Sequence, residues 1–124
     1  KLLGVINKNE VLGENKISTY LLNSHFHVLF SKAEAYGISL IEANSRGLPN
    51  ISFDVGGIPH IIKNKINGKL FKKNEKIEII GNYIISTFSN VKKYRNLSIS
   101  SYFEFKKKFN YVKIISNFKN LVSK

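Results

Sequence analysis

Residues 26–60 read FHVLFSKAEAYGISLIEANSRGLPNISFDVGGIPH, and this stretch decides the fold. Residues 26–31 (FHVLFS) are rich in β-formers and predict a strand. A loop over 32–37 leads into residues 38–46, where Leu40, Ile41, Ala43 and Asn44 suit a short helix closed by Gly47 and Pro49. Residues 51–53 (ISF) predict the next strand. Gly56-Gly57 is a turn that forbids side chains, and residues 58–63 restart a helix with Pro59 in its first turn. Strands separated by helices call for a parallel sheet covered on both faces.

The flanks extend that pattern. Residues 1–6 (KLLGVI) are short and apolar, bounded by the polar NKNE, and read as a buried strand. Ile17, Tyr20, Leu21 and Leu22 form a helical stripe through residues 14–24. After the turn Asn67-Gly68, residues 69–71 predict a fourth short strand. Ile77, Ile80, Ile84 and Phe88 recur at helical steps, with Asn74 as a candidate N-cap. Phe105, Phe109, Val112, Ile115, Phe118 and Val122 form another stripe, expected to face the core. The fold class is α/β: a Rossmann-like parallel sheet with helices on both faces, in one domain spanning residues 1–124.

Open parallel sheets bind ligands at the carboxyl ends of their strands, which directs attention to the loop after residues 26–31. It holds Glu34, then Tyr36 and Gly37, and the helix beyond carries Glu42. Gly37 removes a side chain where backbone must approach something closely. The N–H groups of Gly37, Ile38, Ser39 and Leu40 are the free donors of a helix N-terminus, a ready anion site. A carboxylate accepts both hydrogens of a vicinal diol. Two carboxylates flanking a phosphate site therefore outline a ligand with a sugar at each end of a diphosphate, a nucleotide sugar. By spacing alone, acidic residues near a helix N-terminus are equally served by the macrodipole with no ligand present.

The residues around the pair narrow this choice. Ser31, Glu34, Tyr36-Gly37, Glu42-Ala43, Gly47-Leu48-Pro49, Asp54, Gly56-Gly57-Ile58-Pro59 and Asn67-Gly68 stand at spacings that closely resemble the donor-binding domain of the retaining glycosyltransferases of family 4 (glycosyl transferases group 1, GT-B fold). The resemblance is strong over residues 28–71. Fainter likenesses lie in LLGVI near the start and in Lys108-Phe109-Asn110-Tyr111, where the family has Phe-Asn-Trp. It implies one half of a GT-B fold and transfer of a hexose-type sugar with retained configuration, in polysaccharide or lipopolysaccharide biosynthesis. No cofactor is implied beyond the nucleoside-diphosphate sugar donor. Glu34 matches the family's first Glu, beside the transferred sugar, and is the candidate catalytic residue. Glu42 matches the second, which accepts hydrogen bonds from the ribose. Tyr36, Gly37, Ile38, Ser39 and Leu40 cover the stretch facing sugar and diphosphate. Ser31, Gly56 and Gly57 match positions that serve either a turn or the donor-side loop. His60 departs from the family's usual Glu, while Asn50 and Phe30 depart at positions outside the motif's chemistry.

The chain has 124 residues, no Cys and no Met. That excludes disulfides and thiolate metal sites, and His25, His27 and His60 have no ligand-like spacing, so no metal is expected. Lys1 reads as a cut end of a longer protein, with an acceptor domain upstream that binds a glycan or a lipid-linked acceptor. These residues alone are then expected to be poorly active or inactive. The net charge of +12 lies wholly in residues 60–124; residues 1–59 hold five basic and five acidic side chains. Such a half ordinarily suggests nucleic acid or an anionic membrane surface, and a basic non-catalytic binding module is the competing function. Eighteen of the twenty basic residues are Lys, however, and Arg is the better reader of bases. The charge is accordingly assigned to composition, with no specific nucleic-acid partner. The expected location is the cytoplasm, with peripheral association at the inner face of its membrane.

Overall fold

A computed structural model describes residues 4–108 together with 115, 116, 118, 119 and 122. The elements run α1 (Val11–Leu22), β1 (His27–Leu29), α2 (Ile38–Ser45), β2 (Asn50–Phe53), α3 (Ile58–Ile61), β3 (Gly68–Phe71), α4 (Ile77–Ser89) and α5 (Val91–Lys108). The strands form one parallel sheet in the order β1-β2-β3, with His27 opposite Asn50 and Asn50 opposite Gly68. Each parallel step requires a crossover; α2 supplies the first and α3 the second.

The two-residue period of a strand divides the core. Ile51, Phe53 and Phe71 point to one face, where Ile80 of α4 closes a cluster with Phe26, Tyr83 and Ile84. Leu29 and Leu70 point to the other, where Leu40, Ile58, Ile61 and Ile62 pack. Each fully buried Leu or Ile contributes about 1.5–3 kcal/mol relative to exposure. The expectation of a sheet covered on both faces is met. Helix α5 packs against both α2 and α4, which ties the two layers together.

Four expectations are corrected. Residues 4–6 form no strand: Gly4 adopts a left-handed φ of 70° that interrupts an extended run, and Val5 is fully exposed. Helix α1 begins at Val11, so the predicted stripe covers only part of it. Asn74 does not cap α4; the N-cap is Lys76, and Asn74 sits in a turn closed by Glu75 N–H donating to Lys72 C=O at 2.9 Å. A turn is the other setting that asparagine favours. Along the terminal stripe, Ile115, Phe118 and Val122 are exposed rather than core, Phe105 is half-buried, and Phe109 and Val112 lie outside the described residues. No helix among the described residues is long and apolar enough to cross a membrane.

Candidate functional site

The loop leaving β1 is folded by its own carboxylate. Gly37 N–H donates to Glu34 Oε1 at 3.1 Å, and Gly37 serves as N-cap of α2 with φ 70° and ψ 54°. That left-handed conformation is costly for a residue with a Cβ. A Cβ at Gly37 would also stand 2.7 Å from Leu40 Cδ1, and Leu40 is fully buried. Glycine is thus required twice over where the chain turns into α2. Tyr36 and Ile38 on either side project into solvent.

The loop leaving β2 locks against this one. Gly57 N–H donates to Glu34 C=O at 3.0 Å. A Cβ on Gly56 would lie 2.1 Å from Glu34 O, and one on Gly57 would lie 2.1 Å from Ala35 O. The glycine pair therefore lets one backbone rest directly on another, at the carboxyl edge of the sheet. The turn reading of the pair is met, since Gly56 has φ +52°, and the turn also seats the Glu34 loop.

These contacts revise the expected set of free donors. The Gly37 N–H is taken by Glu34, and the Leu40 N–H donates to Gly37 C=O at 3.0 Å. Ile38 and Ser39 keep unpartnered backbone N–H groups among the described residues, at the positive end of α2. Glu34 keeps its second oxygen, since only Oε1 is engaged.

Glu42 lies in the next turn of α2. Its carboxylate is held by the Lys8 ammonium, which reaches across from the segment before α1. The two side chains border a cavity of about 380 Å³ that also meets Glu14, Ser18, Ser45 and Arg46. Nothing local in the sequence links Lys8 to Glu42, which stand 34 residues apart.

Beneath α2 lies a polar network whose pairing leaves no local trace in the sequence. Fully buried Asn50 donates through Nδ2 to Asn44 Oδ1 at 2.7 Å and to Leu40 C=O at 3.0 Å. With both amide hydrogens committed, Asn50 Oδ1 must accept, and its partner is His27 Nδ1 at 2.9 Å. The His27 proton therefore resides on Nδ1. Burial pushes the His27 pKa below its ordinary value, against the opposing pull of the Asn50 bond and the Glu42 charge. Asn50, expected to lie outside the motif's chemistry, anchors the helix that carries the candidate site. The available signal was an asparagine at the head of a buried strand.

Other residues stay apart. Ser31 is half-buried and makes no hydrogen bond among the described residues. His60 is exposed on α3, and its carbonyl accepts from Lys108 Nζ at 3.3 Å; burial and the nearby Lys63 lower the Lys108 pKa. His25 packs edge-on against Phe88 at 4.6 Å. No group of three or more His, Cys, Asp or Glu able to hold a metal occurs among the described residues.

A parallel sheet whose first crossover helix starts on a backbone-packed glycine loop at the carboxyl edge defines a Rossmann-like α/β domain. Comparison with known proteins gives this class its family. The profile of glycosyl transferases group 1 matches residues 1–102, and the chain belongs to that family. It is similar in structure to a sucrose-phosphate synthase from Thermosynechococcus elongatus, with TM-score 0.76 and 22% identity over 87% of this chain and 27% of that one. Anabaena HepE, solved in complex with UDP-glucose, gives TM-score 0.75 and 20% identity over 86% of this chain and 29% of that one. The C-terminal domain of the group 1 family protein LpcC from Francisella tularensis gives 0.69 and 22%, over 78% and 49%. The chain thus spans under a third of the first two structures and about half of the third. These likenesses establish a GT-B-type glycosyltransferase domain fold. No curated protein matched the sequence.

Proposed function

We propose that this chain is the donor-binding half of a retaining, family 4 glycosyltransferase that takes its sugar from a nucleoside diphosphate. The observation that carries the reading is the Glu34–Gly37 loop, closed by its own carboxylate and seated on Gly56-Gly57. It presents two open N–H groups and one open carboxylate oxygen at the same edge of the sheet. Family membership supports it, as does the HepE complex with UDP-glucose.

In this reading the diphosphate sits at the Ile38 and Ser39 N–H groups. The helix N-terminus stabilises negative charge as it grows on the leaving diphosphate. Glu34 receives hydroxyls of the transferred sugar through its open oxygen and so positions the anomeric carbon; it is not a covalent nucleophile. Glu42 receives the ribose diol, and its second oxygen is available for this while Lys8 holds the first. The acceptor, a glycan or a lipid-linked sugar, binds through other parts of a larger enzyme, consistent with the 27–29% of the two similar solved chains that this domain covers.

Calorimetric titration separates these roles. Glu34→Gln should weaken binding of a nucleoside-diphosphate sugar while leaving the bare nucleoside diphosphate nearly unaffected. Equal loss for both ligands would remove Glu34 from the sugar. Retention is read separately, from the anomeric proton coupling of the transferred sugar by NMR.

A further inference from the structure

A second cavity, of about 410 Å³, lies between the outer strand β3 and the helices α4 and α5. Lys65, Lys69 and Lys93 line it, together with Tyr83, Asn96 and Ser100. Lys65 precedes β3 and Lys69 is its second residue, so the cluster lies toward the amino end of the sheet. The loops carrying Glu34 and Gly57 leave the carboxyl ends of β1 and β2. The two sites are therefore at opposite ends of parallel strands.

Three features describe this cluster. Among the described residues no carboxylate forms an ion pair with any of the three lysines. Two of the ammonium groups lie over aromatic rings instead, Lys93 at 5.1 Å from the Tyr83 centroid and Lys69 at 5.5 Å from that of Phe71. Lys65 holds φ 68°, and it alone among the described non-glycine residues has a positive φ. Left-handed backbone at a bulky residue costs about 1–2 kcal/mol. Three like charges around one concavity repel, and a bound anion relieves that repulsion. Asn96 and Ser100 add neutral hydrogen-bond donors to the same wall.

We propose that this cavity is a phosphate-binding site distinct from the donor site, taking the phosphate of an anionic lipid headgroup or of a soluble phosphorylated molecule. Three ammonium groups and two neutral donors match the several acceptor oxygens of a phosphate, and the volume is that of a small-ligand pocket. Tyr83 and Leu97 form an apolar wall for the body that carries the phosphate.

The test compares two triple variants of the full chain with equal charge change. Lys65→Asn, Lys69→Gln, Lys93→Gln removes the cluster; asparagine tolerates the left-handed backbone. Lys72→Gln, Lys73→Gln, Lys76→Gln removes three exposed lysines outside it. Inorganic phosphate and glycerol 3-phosphate are titrated while the amide NMR signals of Lys65, Lys69, Asn96 and Ser100 are followed. Phosphatidylcholine vesicles with and without phosphatidylglycerol are tested by co-sedimentation. Saturable shifts with either soluble phosphate indicate a soluble ligand; co-sedimentation with phosphatidylglycerol vesicles alone indicates a headgroup. In either case the first triple should bind about tenfold or more weakly, and the second should stay within about twofold of the parent. Equal losses in both triples, no binding to any probe, or preferential binding of an oligonucleotide by parent and both variants alike would overturn the proposal. Should the first triple melt early, Lys93→Gln alone is judged by the same criteria.

Discussion

Gly57→Ala probes the contact on which the donor loop rests. Gly57 has φ −81° and ψ −6°, an ordinary right-handed conformation, so alanine introduces no backbone strain at this position. On that count alone the substitution would stabilise by about 0.4–1 kcal/mol through the unfolded state. The added Cβ, however, would stand 2.1 Å from the Ala35 carbonyl oxygen, against a practical minimum of 3.0 Å. One loop must retreat by about 0.9 Å, the difference of those two distances. The obstacle is backbone, so no rotamer change relieves it. Overpacking of this kind costs about 1–3 kcal/mol, which outweighs the entropic gain and lowers the melting temperature by roughly 5–10 °C. The same retreat stretches the Gly57–Glu34 hydrogen bond and displaces Glu34. With Glu34 displaced, nucleotide-sugar affinity should fall. Thermal denaturation followed by circular dichroism, together with nucleotide-sugar titration, reads both effects. A variant as stable as the parent and equally competent in binding would refute the inference that the two loops are locked backbone to backbone.

Further outcomes follow from the polar network and from Lys8. Asn50→Ala strips partners from the Leu40 carbonyl, Asn44 and His27 at once, and should cost about 2–4 kcal/mol in urea unfolding. His27 titrates below its ordinary value in the folded protein. The unfolded chain therefore binds more protons between the two pKa values, and stability should fall as pH drops below about 6.5 and level off beneath the folded pKa. Urea midpoints measured across that interval check this, and His27→Gln should flatten the profile. Lys8→Ala removes an exposed ion pair, changes stability by less than about 1 kcal/mol, and should leave nucleotide-sugar affinity unchanged or improved, because it releases a Glu42 oxygen. A marked loss of affinity would make Lys8 a ligand contact rather than a placeholder.

The middle of the chain was legible because its signals are local. A run of β-formers, a glycine–proline stop after α2, and paired glycines after β2 each act within a few residues, and β1, α2, β2, α3 and β3 all fall where those signals place them. Elements failed where a local signal had two uses. Asn74 satisfies a turn as well as a cap, and the segment preceding Ile77 takes the turn. The terminal apolar stripe has helical spacing, but spacing does not say what covers it, and Ile115, Phe118 and Val122 are exposed. The candidate residues Glu34, Gly37 and Glu42 stand out in the sequence through the family resemblance, since their spacing alone serves the macrodipole equally well. The Asn50–His27 bond and the Lys8–Glu42 pair do not, because each joins residues 23 and 34 positions apart, and long-range partners leave no periodic trace.

The central claim is that Glu42 and the loop before it hold a nucleotide sugar. Calorimetric titration of the full-length protein and of Glu42→Ala with a panel of nucleoside-diphosphate sugars tests it most directly. Loss of charge-assisted hydrogen bonds to a diol is worth about 1.5–3 kcal/mol, so the account predicts affinity weakened about tenfold to a hundredfold at an essentially unchanged melting temperature. Unchanged affinity in Glu42→Ala would contradict it.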